Sequence, residues 1–541
     1  MVHPIHKALP VLLALVLTAL PVPQTAAEHN GPCIATDPVN PLLAGGGVVR
    51  FTEDPDAGAW TPWWIGPGQV HVAPPPATAS ATTAEELAEL HAWQENRTSF
   101  QSFKAALVDS GPAGRFWEDK MLDLVIENSP LPKKNPPRMA LMMGLLETAM
   151  HDALVISWHY KYCYERPAPY HVDPLLRPLV EERDLPSYPS EHAAVAAAAS
   201  EILEHFFPDK DVDEDGFTIL ENGRLAADSR LWGGGNYRSD VEAGFSIGKQ
   251  VAAYVLAERA SDGQDAQWDP STRPVHHDGS DPDFPANCVY IETPDNGNPP
   301  LEPAWGNVDP IWLDSGDQFR VPPPPPCDGP DWMAQTRDLW EAYLNLTDRQ
   351  KEIADYWEAG ELTVLPPGMN LQIAMDKSEE YGLSTMHHVR VLAYVAVAQA
   401  DVGIAAWDSK YAYWAERPIT SVHRYAWDLD PKYDGWWEAN TNPTTGEVIN
   451  RWFPHAVTPQ FPGYVSGHAS FTGAGQQVLK HLFPEDVPEF RAYQTDAAMA
   501  RFYGGIHIRS DNDVGVELGI DVGDHIAQRI AEDGYGLAYL K

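Results

Sequence analysis

Apolar residues recur at helical spacing along most of the chain. In the first half this periodicity predicts helices over residues 84–107, 138–162, 192–207 and 241–259. In the second half helical spacing resumes near residue 333 and is clearest over residues 386–414, 470–482, 488–502 and 511–532. Strand-like alternation is weak throughout. The pattern therefore predicts an all-α protein made of two tandem helical bundles.

The stretch between the two helical regions has a different composition. Residues 261–332 are rich in Asp, Pro and Gly and include the proline run 322–326, which cannot continue a helix. A chain of 541 residues is also long for a single core. We therefore expect a first bundle over residues 28–260, a Pro-rich linker over residues 261–332 and a second bundle over residues 333–541.

The N-terminal residues have the features of a secretory signal. Lys7 precedes an apolar run over residues 9–20, and small residues lead to Ala27, where a signal peptidase could cleave. The run is shorter than the roughly 20 residues that a membrane-spanning helix needs, and no later stretch is expected to be apolar enough to span. Residues 1–27 are thus predicted to be a signal peptide of a secreted or periplasmic protein, with no membrane insertion after its removal.

Charge and cysteine content narrow the picture further. The formal net charge of −40 disfavours nucleic acid as a partner, because that binding requires basic residues. An anionic substrate must instead be attracted by a local group of Lys and Arg. The four cysteines allow disulfides in an exported chain. Cys288 and Cys327, which flank the Pro-rich run, are the preferred pair, and four unpaired thiols are the alternative. The oligomeric state is left open.

Three sequence blocks occur in the same order in both halves, which predicts an internal repeat. The pattern Asp-x5-Trp-x2-Lys-Tyr spans residues 152–162 and again residues 401–411, and Glu-Arg-Pro follows each copy. YPSEH, ending at His192, matches YVSGH, ending at His468. In the last block, residues 229–240 match residues 500–511.

The blocks of the second half contain a set of residues suited to a tetrahedral anion. Lys410, Arg417 and Arg501 can bind its oxygens, since a guanidinium group pairs with two oxygens and an ammonium group is a compact charge. Ser466 and Gly467 add a hydroxyl and an unobstructed backbone N–H of the kind that a helix N-terminus offers to anions.

Two histidines complete this set. Of His468 and His507, one could bond to the central atom as a neutral imidazole while the other transfers a proton. Asp511, four residues after His507, could fix the tautomer of that ring. The alternative is that Asp511 only caps a helix.

These motifs together resemble the three-part signature of vanadium-dependent haloperoxidases and PAP2-type phosphatases. They read Lys410-x6-Arg417-Pro418, Ser466-Gly467-His468 and Arg501-x5-His507-x3-Asp511. The resemblance implies a helical fold, with His507 as axial ligand of vanadate or as phosphorylated nucleophile, and His468 as the acid–base group. It implies that the nonbridging oxygens are held by Lys410, Arg417, Ser466, Gly467 and Arg501. Val465 and Ala500 replace the usual Pro and Ser of the family, and neither change removes a charge.

The resemblance leaves the reaction open. Trp407 and Phe461 resemble aromatic residues that form the halide environment in the chloroperoxidase-like branch, although both could be core aromatics. They favour a haloperoxidase with vanadate as cofactor, hydrogen peroxide and halide as substrates, and hypohalous acid as product. One alternative is a secreted acid phosphatase that hydrolyses phosphomonoesters through a phosphohistidine and needs no vanadate. Another is a catalytically silent anion-binding or scaffold protein.

The first half is predicted to be a structural bundle without turnover, and a weak anion-binding site within it is the alternative. Asn236 stands where His507 stands in the second half, and an amide cannot serve as the nucleophile or as the imidazole ligand. Glu191 replaces Gly467. Two residues are also missing between Lys161 and Arg166, which on a continuous helix would rotate one relative to the other by about 200°.

One acidic motif resembles the opening of a calcium loop. Asp211, Asp213 and Asp215 precede a glycine in DVDEDG. The Glu expected at the twelfth position is Asn222, so a solvated acidic loop is the alternative.

Overall fold

The computed structural model describes residues 51–129, 133–210, 216–275, 288–327, 329–425, 429, 439–441, 448–450 and 452–533. Within these ranges the protein is almost entirely helical, which confirms the all-α prediction. The proposed signal peptide over residues 1–27 lies outside them. The proposed calcium-loop residues Asp211, Asp213 and Asp215 also lie outside them.

The helices of the first half include those that the periodicity predicts. They are α1 (Ala81–Asn96), α2 (Ser99–Val108), α3 (Arg115–Asn128), α4 (Pro136–Tyr164), α5 (Pro169–Val172), α6 (Glu191–Phe206), α7 (Ile219–Trp232) and α8 (Arg238–Glu258). The predicted segment 84–107 is divided into α1 and α2, because Arg97 is extended and Thr98 caps a new helix with its side chain. The periodicity predicts neither α3 nor α7.

The second half has the same character. Its helices are α9 (Pro330–Leu344), α10 (Asp348–Tyr356), α11 (Leu365–Glu380), α12 (Thr385–Tyr413), α13 (Pro418–Arg424), α14 (Gly467–Leu482), α15 (Val487–Tyr503) and α16 (Arg509–Glu532). Two short strands, β1 (Ala439–Thr441) and β2 (Val448–Asn450), pair antiparallel. Single 3-10 turns occur at Ala57–Ala59, Pro67–Gln69, Pro270–Thr272, Trp305–Asn307 and Pro484–Asp486.

Two long helices, α4 and α12, form the centre of the molecule. They pack closely, since a Cβ on Gly144 of α4 would lie 3.1 Å from the Cβ of Ala400 on α12. Both are long and apolar enough to cross a membrane, so the expectation that no stretch after the signal has this character was wrong. Their apolar windows are fully buried inside the protein, and a helix buried on all sides is apolar all round. One continuous core of buried side chains extends through both halves.

Equivalent aspartates hold equivalent segments against these two helices. Asp152 of α4 accepts backbone N–H bonds from residues 63, 64 and 65 at 2.7 to 3.1 Å. Asp401 of α12 accepts them from residues 311, 312 and 313 at 2.7 to 3.0 Å. This pair of contacts supports the internal repeat, which otherwise stays a prediction from the sequence.

The described parts of the predicted linker, residues 261–275, 288–327 and 329–332, contact the second half. Besides the contacts to Asp401, the N–H of Leu301 donates to the carbonyl of Gln460 at 2.7 Å. The preferred cysteine pair is present as a disulfide, with 5.8 Å between the Cα atoms of Cys288 and Cys327. This segment is therefore attached to the loops around the C-terminal end of α12.

Candidate oxyanion-binding site

Three basic side chains are brought to one end of the second half by three different helices. Lys410 lies in the last turn of α12, Arg417 immediately precedes α13, and Arg501 lies in the last turn of α15. Each is at most 2% exposed. Lys410 donates to the carbonyls of Pro462, Gly463 and Val465. The loop before Ser466 is thus fixed by the predicted lysine.

Both guanidinium groups retain donors that have no acceptor. Arg417 donates from Nε to the carbonyl of Phe461 at 2.7 Å and from Nη1 to that of Ile506 at 3.1 Å, but its buried Nη2 has no hydrogen-bond partner among the described residues. Arg501 donates from Nη1 to the carbonyl of Glu358 at 3.2 Å, and its buried Nε finds no acceptor in the same part of the chain. Buried donors without an acceptor are costly, so these two atoms indicate a place for a ligand oxygen.

The three cations are not in direct contact with carboxylates in the described part of the chain. Among the residues that the structure describes, none of Lys410, Arg417 and Arg501 forms an ion pair with a carboxylate. Burial lowers the pKa of Arg417 to about 10 and that of Arg501 to about 9, with Arg417 adding to the second shift. Burial and Arg417 also hold the pKa of Lys410 well below its usual value. A bound anion would reverse these shifts.

His507 is held as a neutral imidazole with one defined tautomer. Its Nε2 lies 3.0 Å from Nη1 of Arg417, and a guanidinium can only donate, so Nε2 is the unprotonated nitrogen. Its Nδ1–H then donates to Oδ2 of Asp511 at 3.0 Å. Burial, Arg417 and Lys410 keep the pKa of His507 well below its usual value. In this structure the lone pair of Nε2 accepts from Arg417, and a neutral ring with an unprotonated nitrogen is the form that bonds to phosphorus or a metal.

Asp511, in the first turn of α16, contacts two parts of the site. Its carboxylate accepts Nδ1–H of His507, its backbone carbonyl accepts the N–H of Ser466 at 2.8 Å, and its buried Oδ1 has no hydrogen-bond partner among the described residues. Burial raises the pKa of this carboxyl to about 7, against the effect of Lys410. Asp511 therefore connects His507 with the N-terminus of α14.

The Ser-Gly-His corner forms the start of α14. Ser466 is its N-cap, and Gly467 and His468 are its first two residues. A Cβ on Gly467 would lie 3.5 Å from the ring of Trp407 and 3.9 Å from Cε of Lys410. His468 is half-buried and donates from Nε2 to the carbonyl of Glu358 at 2.9 Å. Burial and the nearby Arg501 hold its pKa well below the usual value.

The two predicted aromatic residues lie against the same cations. The rings of Trp407 and Phe461 are 5.0 Å apart between centroids. Nζ of Lys410 is 4.7 Å from the centroid of Phe461, and Cζ of Arg417 is 4.9 Å from it. Both aromatics are buried, so they contribute to the core and to the wall of the cationic site at once.

Sequence reasoning missed several groups around the site. Trp357 and Glu358, between α10 and α11, supply the carbonyls that position Arg501 and His468. Tyr290 and Asp295 come from the supposed linker and interact electrostatically with Arg417. The hydroxyl of Tyr290 is buried without a partner, and burial raises its pKa to about 12. Backbone carbonyls carry no residue signature, and Tyr290 and Asp295 lie in a segment without periodicity.

The corresponding cations of the first half are neutralised by carboxylates. Lys161 pairs with Glu191 at 2.8 Å and Arg166 with Asp240 at 2.6 Å. Arg166 also pairs with Glu86, and Arg230 pairs with Asp109 at 2.5 Å. Asn236 accepts from Arg230 and donates to the carbonyl of Ser187. The two halves thus have similar basic residues, but only those of the first half form ion pairs with carboxylates among the described residues.

The expected helical rotation between Lys161 and Arg166 was wrong. Helix α4 ends at Tyr164 and α12 ends at Tyr413, so each lysine lies at the same distance from its helix end. The N–H of each cap residue, Glu165 and Trp414, donates to the lysine carbonyl four residues earlier. The two additional residues of the second half therefore lie in the loop after the helix.

Two family models match the chain. Residues 138–259 match the PAP2 superfamily, and residues 390–493 match the VCPO second helical-bundle domain. The first match covers the half that carries Asn236. The second includes Lys410, Arg417 and the Ser-Gly-His corner and ends before Arg501 and His507. Both matches fall on the families that the motifs resemble.

Individual relatives give the same result. Vanadium chloroperoxidase from Curvularia inaequalis is 25% identical over 419 residues, which are 68% of this chain and 65% of that protein. The match thus spans just under two thirds of the relative. The structure of a bacterial vanadium-dependent iodoperoxidase superposes with a TM-score of 0.55 at 22% identity, over 76% of this chain and 94% of that one.

A second solved structure has the same helical fold. The holo-type bacterial vanadium-dependent chloroperoxidase superposes with a TM-score of 0.52 at 16% identity, over 74% of this chain and 93% of that one.

Proposed function

We propose that this chain, whose resemblance to the PAP2 and vanadium haloperoxidase superfamily is confirmed, is a vanadate-dependent haloperoxidase that oxidises halide with hydrogen peroxide to hypohalous acid. The observation that carries the proposal is the buried group of Lys410, Arg417 and Arg501, none of which forms an ion pair with a carboxylate within the described part of the chain. A tetrahedral oxyanion supplies that charge and accepts from the unpartnered Arg417 and Arg501 donors.

The residues fit vanadate in both charge and donor type. Arg417 and Arg501 would hold its oxygens, together with the hydroxyl of Ser466 and the N–H of Gly467. Lys410, whose three N–H groups face the carbonyls of Pro462, Gly463 and Val465, would add positive charge beside it. His507 would bind the central atom through Nε2, the nitrogen that already lacks a proton. When bound, vanadate supplies a Lewis acid that activates peroxide toward a halide.

The remaining side chains position groups and move protons. Asp511 accepts Nδ1–H of His507 and so keeps the unprotonated Nε2 on the side of the ring that faces away from the carboxylate. His468, anchored through Nε2 on the carbonyl of Glu358, has Nδ1 available to accept a proton from peroxide and return it to the product. Its lowered pKa favours the neutral, proton-accepting form. Trp407 and Phe461 would exclude water and border the halide.

Haloperoxidase is preferred to phosphatase because of the relatives and the aromatic wall. The curated relative and the two solved structures are named as vanadium chloroperoxidases and an iodoperoxidase. The test uses two parallel assays on the purified protein. Orthovanadate, peroxide and chloride, bromide or iodide should give halide oxidation, whereas p-nitrophenyl phosphate without vanadate should be hydrolysed negligibly. Hydrolysis without halide oxidation would establish the acid phosphatase instead, and inactivity in both would favour the silent anion-binding protein.

Orthovanadate should stabilise the folded protein. A ligand that binds only the native state adds about 2.7 kcal/mol when its concentration is 100 times Kd. We expect the melting temperature to rise with orthovanadate concentration at constant ionic strength. Chloride at matched ionic strength should give no such rise, and Arg501→Ala should weaken the vanadate response. An equal response in the Arg501→Ala variant would contradict the assigned site.

Asp511→Ala should lower activity by about 10- to 100-fold, the usual effect of losing a partner that orients a metal-binding histidine. Asp511→Asn should recover part of the loss, because the amide oxygen can still accept from Nδ1–H of His507. The exposed neighbour Asp513 provides the control, and Asp513→Ala should leave activity unchanged. Equal activity of the Ala and Asn variants at position 511 would mean that Asp511 does not act by orienting the histidine.

A further inference from the structure

The first half contains a carboxylate at the position where the second half is open. Ser190 and Ser466 are both N-caps, and the residue that follows each is the first of its helix, Glu191 in α6 and Gly467 in α14. In the second half a Cβ at this residue would lie against the ring of Trp407, at 3.5 Å, and 3.9 Å from Cε of Lys410. In the first half a glutamate side chain at the equivalent position reaches Lys161, with 2.8 Å between Oε2 and Nζ.

Glu191 makes the contacts expected of a bound anion. Besides Lys161, its Oε1 lies 3.2 Å from Nη1 of Arg183 and 3.1 Å from Nδ1 of His192. The residue is 4% exposed. Lys161 corresponds to Lys410 and His192 to His468, so two of the three partners are the equivalents of the proposed vanadate-binding and acid–base residues.

The space beside Glu191 is lined by the other equivalents of the second site. A cavity of about 20 Å³, close to the size of one water molecule, is bordered by Glu191, Arg183, Arg230 and Asn236. Arg230 corresponds to Arg501, and Asn236 to His507. The glutamate therefore lies among the residues that would otherwise surround an oxyanion.

We propose that Glu191 is a tethered substitute for the oxyanion, and that the first half keeps a second, latent site for a small tetrahedral oxyanion of the phosphate and vanadate class. The carboxylate fills this site and neutralises Lys161 without any ligand. The first half thereby remains stable without an anion, whereas the second half needs one. Because Asn236 provides no imidazole, the latent site binds an anion without turnover.

The inference predicts that the two corners can be exchanged. Glu191→Gly reproduces the corner of the second half and frees Lys161 and one side of Arg183. Gly467→Glu reproduces the corner of the first half and brings a carboxylate toward Lys410. The opened first site should bind more weakly than the second, because Arg166 and Arg230 keep their pairs with Asp240 and Asp109.

Titration calorimetry with inorganic phosphate on the full chain tests this exchange. We expect one bound phosphate in the wild type, two in Glu191→Gly, none in Gly467→Glu and one in the double variant. Glu181→Gly is the matched control, since Glu181 borders the same cavity but is exposed and forms no ion pair among the described residues. It should bind one phosphate.

The outcomes separate this inference from the proposed function on which it rests. A wild type that binds no phosphate, with one bound in Glu191→Gly, would overturn the second-half site and leave the latent site standing. One bound phosphate in both the wild type and Glu191→Gly would overturn the latent site and leave the second-half site standing. If Glu191→Gly fails to fold, Gly467→Glu still tests the inference. A folded Gly467→Glu variant that binds phosphate as tightly as the wild type would refute the proposal that a glutamate at this corner takes the place of the anion.

Discussion

His507→Ala is expected to reduce vanadate-dependent halide oxidation by more than about 100-fold, beyond the 10- to 100-fold effect of losing a partner that only orients such a ligand. The physical reason is that Nε2 of His507 is the neutral nitrogen presented beside Arg417, and alanine leaves no atom that can bind the central atom of the anion. The measurement is the steady-state rate with orthovanadate, peroxide and bromide, together with vanadate affinity by equilibrium dialysis.

The matched control for this variant is the equivalent position of the first half. Asn236 is 3% exposed and accepts from Arg230, but no anion depends on it in the proposed mechanism. Asn236→Ala should therefore keep wild-type activity, with a loss of stability of about 1 to 3 kcal/mol from the buried groups left without partners. Turnover that depends on Asn236 would refute the prediction that the first half is silent.

Arg417→Ala and Arg166→Ala are expected to separate activity from stability. Arg417 has no carboxylate partner among the described residues, so its removal should lower activity by about 100- to 1,000-fold, as expected for a group that stabilises charge in the transition state. Arg166 holds the buried carboxylates of Asp240 and Glu86. Its removal leaves both unpaired and should cost about 3 to 5 kcal/mol of unfolding free energy.

Chemical denaturation and the halide assay on both variants test this pair. The expected result is low activity with the smaller decrease in unfolding midpoint for Arg417→Ala, and normal activity per folded molecule with the larger decrease in midpoint for Arg166→Ala. A reversed pattern would place the functional anion site in the first half. Equal effects on activity would mean that the two sites act together.

Much of the fold follows from local pattern. Helices α4, α6, α8, α12 and α14 to α16 begin and end within a few residues of the segments that the periodicity predicts, because apolar spacing and capping residues act over neighbouring turns. The break between α1 and α2 and the helices α3 and α7 are less apparent from periodicity alone. Helix α7 begins after a capping box at Thr218, but small and charged residues make up much of the helix, so its apolar periodicity is weak.

The membership of the candidate site was also accessible from the sequence. Lys410, Arg417, Ser466, His468, Arg501 and His507 occur in three ordered motifs, and charge type alone indicates that they suit an oxyanion. The sequence spacing also predicted a rotation between Lys161 and Arg166 that the structure does not have, since spacing along the chain does not reveal where a helix ends. It also treated residues 261–332 as a linker, although Tyr290 and Asp295 from this segment interact with Arg417.

The sequence by itself determined the helical class and the identity of the cations and histidines, because these depend on residue type and on contacts between close neighbours in the chain. Only the tertiary structure decided which cations are neutralised. Glu86 and Asp109 lie far along the chain from Arg166 and Arg230, and the fold brings each carboxylate to its arginine. These ion pairs neutralise the basic residues of the first half. Long-range electrostatics thus distinguishes two halves that carry nearly the same basic residues.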